Sequence, residues 1–264
     1  SEDFLSLCGG YLTDTGRSLY EPPGGPVPPF AYGTALWWWF LTNRYGNEMM
    51  PELLLAMADS PDDASLIAAM TTLEADFGGD GAEDFTTFSR WNLATGYRAG
   101  EAESYPFAAD LVGIRAETSG PAVDDENRFY PLSASYYELE WPGGELFFAN
   151  SSTGEALRLS LHFESAAGNT GDPLFELQAN GERQALGEVP AGTYWLVVSN
   201  PEWAASSTKI TVCLGNEAAV ADCGGEADTG GEPDTGDTGP TESGDTAVGG
   251  QEQPACGCAA SGGA

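Results

Sequence analysis

Tyr32-Gly33-Thr34-Ala35-Leu36-Trp37-Trp38-Trp39-Phe40-Leu41-Thr42-Asn43-Arg44-Tyr45-Gly46 is the stretch whose reading decides the fold. From Ala35 to Leu41 it carries no polar residue, and Gly46 suits the left-handed position past a helix end. A helix that is apolar on every side is expected to be buried on every side. Three consecutive Trp side chains leave a helix axis roughly 100° apart, so at least three neighbouring surfaces must receive them. The expectation is the central helix of an α-helical domain, with further helices packed around it.

Outward from this stretch the helical signals continue. Phe4 to Leu19 reads as a helix ending near Thr15-Gly16, and Glu21 to Pro29 as a Pro/Gly loop that excludes regular structure. Asn47 to Ala58 reads as a helix with Pro51 early in it. Ser60 then suits an N-cap and Pro61 a first helical position, ahead of an apolar stripe of Leu66, Ile67, Met70, Leu73 and Phe77. Gly78-Gly79 stops that helix. The last one runs from about Gly81 to Thr95, with Phe85, Phe88 and Trp91 on one face and Gly96 as its stop.

Beyond Tyr105-Pro106 the apolar period changes to two. Ser133 to Trp141 and Glu145 to Ala149 read as strands of a hairpin turned by Pro142-Gly143-Gly144. Arg158 to Phe163 alternates, placing Leu157, Leu159, Leu161 and Phe163 inward and His162 toward solvent. Leu174 to Leu177, Thr193 to Ser199 and Thr208 to Leu214 supply further strands. The fold class expected is α+β: an N-terminal α-helical domain over residues 1–108, then an antiparallel β-sandwich or jelly-roll over 109–214. From Gly215 the apolar pattern collapses. Residues 215–264 read as a disordered acidic spacer rich in Gly, Thr and Pro, with Asp-Thr-Gly repeats and no positive charge.

The 264 residues carry 41 acidic against 9 basic side chains, a formal net charge of -32. Nucleic-acid binding requires clustered Lys and Arg, and anionic membranes attract the same residues, so both partners are excluded. No run approaches the ~18 apolar residues of a membrane span. The charge fits an extracellular or cell-surface protein that repels its own copies. Cys213 and Cys223 bracket a nine-residue loop and read as a disulfide, which implies an oxidising compartment. Cys256-Gly257-Cys258 is too closely spaced for a zinc knuckle and has no second Cys or His pair. Cys8 has no obvious partner in the sequence.

Groups able to carry chemistry are few. His162 is the sole histidine, with no recognisable Ser or Cys nucleophile beside it, so no catalytic residue is assigned. One histidine is too few for a histidine-based zinc site, and no metal ligand or cofactor is assigned to this chain. Asp124, Asp125 and Glu126 offer oxygen ligands for Ca²⁺, but they lack the alternating spacing and glycine of an EF-hand loop, and a solvated turn is the favoured reading. The Asp-Thr-Gly repeats lie outside any strand–turn context and are not read as aspartic-peptidase sites. Trp37 to Trp39, inside an all-apolar helix, reads as core before it reads as a sugar-stacking platform.

Several pieces together resemble the secreted zinc metallopeptidase-like proteins of myxobacteria and related deltaproteobacteria, a gluzincin-like family. They are Tyr32 to Leu36, Phe40-Leu41, Arg44-Tyr45-Gly46, Phe88 to Ala99, Tyr105-Pro106 and Leu132 to Tyr137, in the order that family has them. The resemblance implies a helical C-terminal half of a gluzincin-like domain followed by a β-rich domain. The family's His-Glu-x-x-His helix and downstream Glu ligand are not in this sequence, so zinc belongs to full-length members, and no catalytic position is carried over. Pro254 to Ala260, with Cys256 and Cys258, is similar to the start of a myxobacterial C-terminal sorting signal, which implies a surface-anchoring machinery as partner.

The function expected is therefore the C-terminal part of a secreted or cell-surface zinc metallopeptidase-like protein, structural or display in role. Any protein or peptide substrate would be handled through an N-terminal half outside this sequence. The alternative is a non-enzymatic surface adhesion or carbohydrate-binding protein.

Overall fold

The computed structural model describes residues 3–19, 29–61, 65–100, 103–151, 156–203 and 207–223. Among these residues six helices come first: α1 (Asp3–Leu12), α2 (Pro29–Gly33), α3 (Ala35–Tyr45), α4 (Met49–Ala58), α5 (Ser65–Phe77) and α6 (Gly81–Leu93). Nine strands follow: β1 (Ser119–Gly120), β2 (Val123–Phe129), β3 (Ser133–Trp141), β4 (Gly144–Asn150), β5 (Arg158–Glu164), β6 (Phe175–Leu177), β7 (Gln184–Val189), β8 (Gly192–Asn200) and β9 (Thr208–Gly215). A short helix, α7 (Glu217–Ala221), closes the described chain.

The strands form two sheets, one ordered β1-β3-β8-β5-β6 and one ordered β2-β9-β4-β7. Pairing is antiparallel except for the short β1–β3 contact. The two sheets face each other across Tyr137, Leu139, Leu159, Leu161, Leu196 and Val198 on one side and Leu146, Phe148, Ile210, Val212 and Leu214 on the other. This is the expected sandwich.

The opposite face of the five-stranded sheet is covered too. Ala134, Tyr136, Trp195 and Val197 point away from the sandwich core and join the core of the helices. The helices and both sheets therefore make one compact unit of three layers. β8 reads Gly-Thr-Tyr-Trp-Leu-Val-Val-Ser-Asn, a nearly continuous apolar run, because neither of its faces meets water.

The Trp stretch is not the centre of the helical layer. In α3 the residues Leu36, Trp37, Phe40 and Leu41 are buried, but Trp38 is half-buried and Trp39 is 42% exposed. The central position belongs to α6, most of whose residues are buried. Phe85, Phe88 and Trp91 of α6 pack on Trp37 and Phe40 of α3, with centroid distances of 5.0 to 6.1 Å. Each such fully buried aromatic contributes on the order of 1.5–3 kcal/mol. The reverse side of α6 is polar yet buried. Ser89 and Asn92 meet the sheet there, where the Tyr136 hydroxyl donates to the Ser89 carbonyl (2.9 Å) and the Tyr105 hydroxyl to Asn92 Oδ1 (2.7 Å). Asp80 caps the helix, its carboxylate accepting from the amides of Ala82 and Glu83 at 3.1 Å.

Four further expectations are corrected. The first helix ends at Leu12, not near Thr15, and α2 crosses it at Gly33, where a Cβ would lie 2.6 Å from the Tyr11 backbone nitrogen. Pro61 is not helical, α5 starts at Ser65, and 62–64 lie outside the described residues. β3 and β4 do not form a hairpin. The connection at Pro142-Gly143 carries the chain from one sheet to the other, so β3 pairs with β8 and β4 with β7 and β9. Asp124, Asp125 and Glu126 are not in a turn but in β2, paired with Cys213, Val212 and Thr211 of β9. Alternating residues of a strand face opposite sides, which prevents the three carboxylates from converging on a Ca²⁺ ion.

Folded structure also runs past Gly215. The Asn216 side chain accepts from the Ala219 amide (2.8 Å) to cap α7, and Cys213 and Cys223 are joined in a disulfide. The Asp-Thr-Gly repeats, Cys256 and Cys258 lie outside the described residues.

Candidate functional site

The feature with most chemistry is a cleft of about 300 Å³ where the helical layer meets the end of the five-stranded sheet. α3 contributes Arg44 to it. α6 contributes Glu83, Thr87, Arg90 and Trp91, residues spaced three and four apart and so on one face of that helix. β5 contributes His162, and the loop between β5 and β6 contributes Thr170 to Pro173. Glu103 completes the rim.

His162 is where sequence and structure part most sharply. It is 2% exposed, not solvent-facing, because the face of β5 opposite Leu159 and Leu161 is covered by the helical layer. Its Nδ1 lies 2.9 Å from the Gly171 carbonyl and its Nε2 lies 2.9 Å from Ser160 Oγ. A carbonyl only accepts, so Nδ1 carries the proton and Nε2 accepts from the serine hydroxyl. Burial lowers its pKa to about 4, and the Arg90 charge acts in the same direction. This is the tautomer a serine nucleophile would need, but Ser160 is itself 2% exposed and does not line the cleft. The partner behind the ring is a neutral carbonyl rather than a carboxylate, and the Gly171 hydrogen bond and the Asp172 charge favour an imidazolium less than burial disfavours it. A base held at about 4 is also a weak one at neutral pH.

The two arginines are already engaged. Arg44 Nε lies 3.0 Å from Asp84, which is fully buried and also accepts from the Tyr45 hydroxyl (2.7 Å) and the Asp80 amide (3.2 Å). Burial raises the Asp84 carboxyl above its ordinary range despite these donors, and burial raises Tyr45 to about 12. Arg90 holds Glu176 of β6 through Nη2, 2.7 Å from both carboxylate oxygens. Glu83, Glu103 and Asp172 have no cationic partner among the described residues.

Three buried donors on the cleft wall have no acceptor among the described residues: Arg90 Nε, Trp91 Nε1 and Thr170 Oγ1. Trp91 is fixed by edge-on contacts with Phe40 (5.1 Å) and Tyr105 (5.2 Å), and Thr170 is 2% exposed. Unpartnered buried donors are costly, and each calls for an explanation. Sequence reasoning missed this site. Arg90-Trp91 reads as part of a helix face, and Thr170 sits in a loop without a motif. The one available signal is that arginine is scarce in a chain so acidic, and two of its eight line one cleft.

Behind the cleft, Arg98 is 1% exposed and sits 4.4 Å over the Trp195 ring and 4.6 Å over the Tyr97 ring. Its Nε donates to the Leu93 carbonyl at the end of α6 (3.0 Å) and its Nη2 to the Ile114 carbonyl (3.0 Å). The Trp195 indole in turn donates to Glu164 (2.7 Å). This buried cation ties the helical layer to β8. Among the described residues no group of three or more His, Cys, Asp or Glu side chains is placed to hold a metal ion, and no helix is long and apolar enough to cross a membrane.

No family model and no curated protein matches the chain. Among solved structures, the pre-peptidase C-terminal domain of a collagenase from Bacillus anthracis aligns at 16% identity over 39% of this chain and 99% of its own, with a TM-score of 0.30. PliG of Aeromonas hydrophila, a periplasmic lysozyme inhibitor of g-type lysozyme, aligns at 11% identity over 38% of this chain and 96% of its own (TM-score 0.28). The Salmonella Typhimurium PliG aligns at 17% identity over 38% and 98% (TM-score 0.26). Likeness at these scores carries no inference for this chain.

Proposed function

We propose that this chain is a non-catalytic accessory region of a secreted or cell-surface protein, serving to support and display a peptidase portion of a longer polypeptide. The observation that carries the reading is the state of His162, the chain's one histidine, which is neutral, buried and engaged at both ring nitrogens. Acid–base catalysis at neutral pH has no other imidazole to use. The disulfide between Cys213 and Cys223 supports an oxidising, extracytoplasmic compartment. The gluzincin-like lineage of the helical layer rests on the sequence pieces alone, as do protein or peptide substrates and a surface-anchoring partner reached through Cys256 and Cys258.

Metal analysis and a fluorogenic casein assay test the proposal on this chain and on a longer polypeptide carrying a His-Glu-x-x-His helix upstream. This chain is expected to bind no stoichiometric zinc and cleave nothing, and both activities are expected to arrive with the added segment. Chelator-sensitive turnover by this chain alone would overturn the reading. The cleft described above favours a second role, a surface module that binds a ligand itself.

A further inference from the structure

We propose that the cleft between α6 and the β5–β6 loop binds a neutral saccharide unit, independently of any peptidase association. The case starts from the three unpartnered donors of cleft-lining residues, Arg90 Nε and Trp91 Nε1 on the α6 side and Thr170 Oγ1 on the β5–β6 loop side, which have no acceptor among the described residues. A polar cleft of about 300 Å³ is at the small end of ligand sites and suits one or two sugar rings.

Charge then selects among ligands that carry acceptors. Arg44 and Arg90 are offset by Asp84 and Glu176 at 3.0 and 2.7 Å, which leaves Glu83, Glu103 and Asp172 as uncompensated negative groups. A carboxylate or phosphate seated on the donors would face these three charges, in a chain of net charge -32. A cation would match the carboxylates but leave the buried donors unmet. Hydroxyl groups do both, each accepting from a buried donor and donating to a rim carboxylate, without added charge. A ring carrying several hydroxyls on one edge is the chemistry that satisfies both sides. Trp91 is 5% exposed and meets Phe40 and Tyr105 at right angles, so recognition runs through its indole N–H and not through stacking.

The test is a titration of the whole chain with methyl glycosides of glucose, galactose, mannose and N-acetylglucosamine, followed by the Trp91 indole N–H resonance. The uronate and the amino sugar of the same rings serve as charged comparators. At least one neutral glycoside is expected to shift that resonance saturably below about 50 mM, and the matching uronate to bind about tenfold more weakly. Thr170→Val removes a hydroxyl that has no partner among the described residues, so folding is preserved while saccharide affinity falls about tenfold. A uronate binding as tightly as its neutral parent would overturn the proposal, as would a Trp91 resonance that no neutral glycoside moves. Binding unchanged in Thr170→Val would overturn it equally. None of these results bears on zinc or proteolysis, so failure here is distinct from failure of the accessory-region reading.

Discussion

Acidifying the protein from about pH 7 to about pH 4 is expected to remove about 3 kcal/mol of stability through His162 alone. The pKa of this imidazole is lowered from 6.5 to about 4 by burial, with Arg90 adding to the effect. Every tenfold loss of proton affinity on folding is worth about 1.4 kcal/mol, and a fall from 6.5 to about 4 gives the figure. The sign follows from which state binds the proton. The unfolded chain takes it up near pH 6.5 and the folded chain only near pH 4. The contribution is therefore complete above pH 6.5 and is lost as the pH falls toward 4. Opposing it, burial raises the carboxyls of Asp84 and Glu117, so the folded state binds their protons more readily and gains stability as they are taken up. Discharging many surface carboxylates also relieves self-repulsion. A comparison of urea unfolding between the parent and His162→Asn at both pH values isolates the histidine. Asn keeps a donor for the Gly171 carbonyl and cannot titrate. With one histidine in the chain, its ring proton resonance reports the pKa directly. An imidazole that titrates near 6.5 in the folded protein, or an identical pH dependence in the variant, would refute the reasoning.

Arg98→Leu leaves the Leu93 and Ile114 carbonyls without their buried donor and removes the cation from between Tyr97 and Trp195. A loss of about 3 kcal/mol in chemical denaturation is expected, and a loss under about 1 would mean that water replaces the guanidinium. Replacing Cys213 and Cys223 by Ser opens a short loop whose closure is worth about 3 kcal/mol on the chain-entropy scale, read as a lowered Tm. Gly33→Ala places a methyl group against the Tyr11 backbone and is expected to destabilise by about 1–3 kcal/mol, whereas Trp39→Ser, at a 42% exposed position, should change stability far less.

Where the residues themselves announced a local period, the sequence was a good guide. The strand from Ser133 to Trp141 has the bounds its alternation implied, and α6, which carries the Phe85–Phe88–Trp91 stripe, starts at Gly81 as expected. What escaped reading depends on partners distant in the chain. β2 is Val-Asp-Asp-Glu-Asn-Arg-Phe, apolar only at its two ends, and it exists because β9 supplies a full antiparallel ladder. The charges along it suit an edge strand, and Glu126 there pairs with Lys209 at 2.6 Å. His162 looked solvent-facing because alternation identifies two faces of a strand but not how many of them are covered. The same gap hid the cleft, whose walls come from α3, α6, β5 and a loop more than a hundred residues apart. The Trp run misled in the opposite direction. Its composition suggested a centre, while the true centre, α6, disguises itself with Thr86, Ser89 and Asn92, polar residues buried against the sheet.

The covering of the five-stranded sheet on both sides bears on how this polypeptide can be inherited and rearranged. A sandwich excised near residue 109 would bare Tyr136, Trp195 and Val197, and the Trp195 ring would lose the Arg98 guanidinium that sits above it. Such a fragment would carry an apolar face where the parent has a layer boundary, and it would associate rather than stand alone. Recombination that preserves a foldable product must therefore transfer helices and strands together. The unit available for fusion to other proteins is the whole three-layer stack, and a break between its α and β portions falls at the one place where neither half can keep its own surface dry.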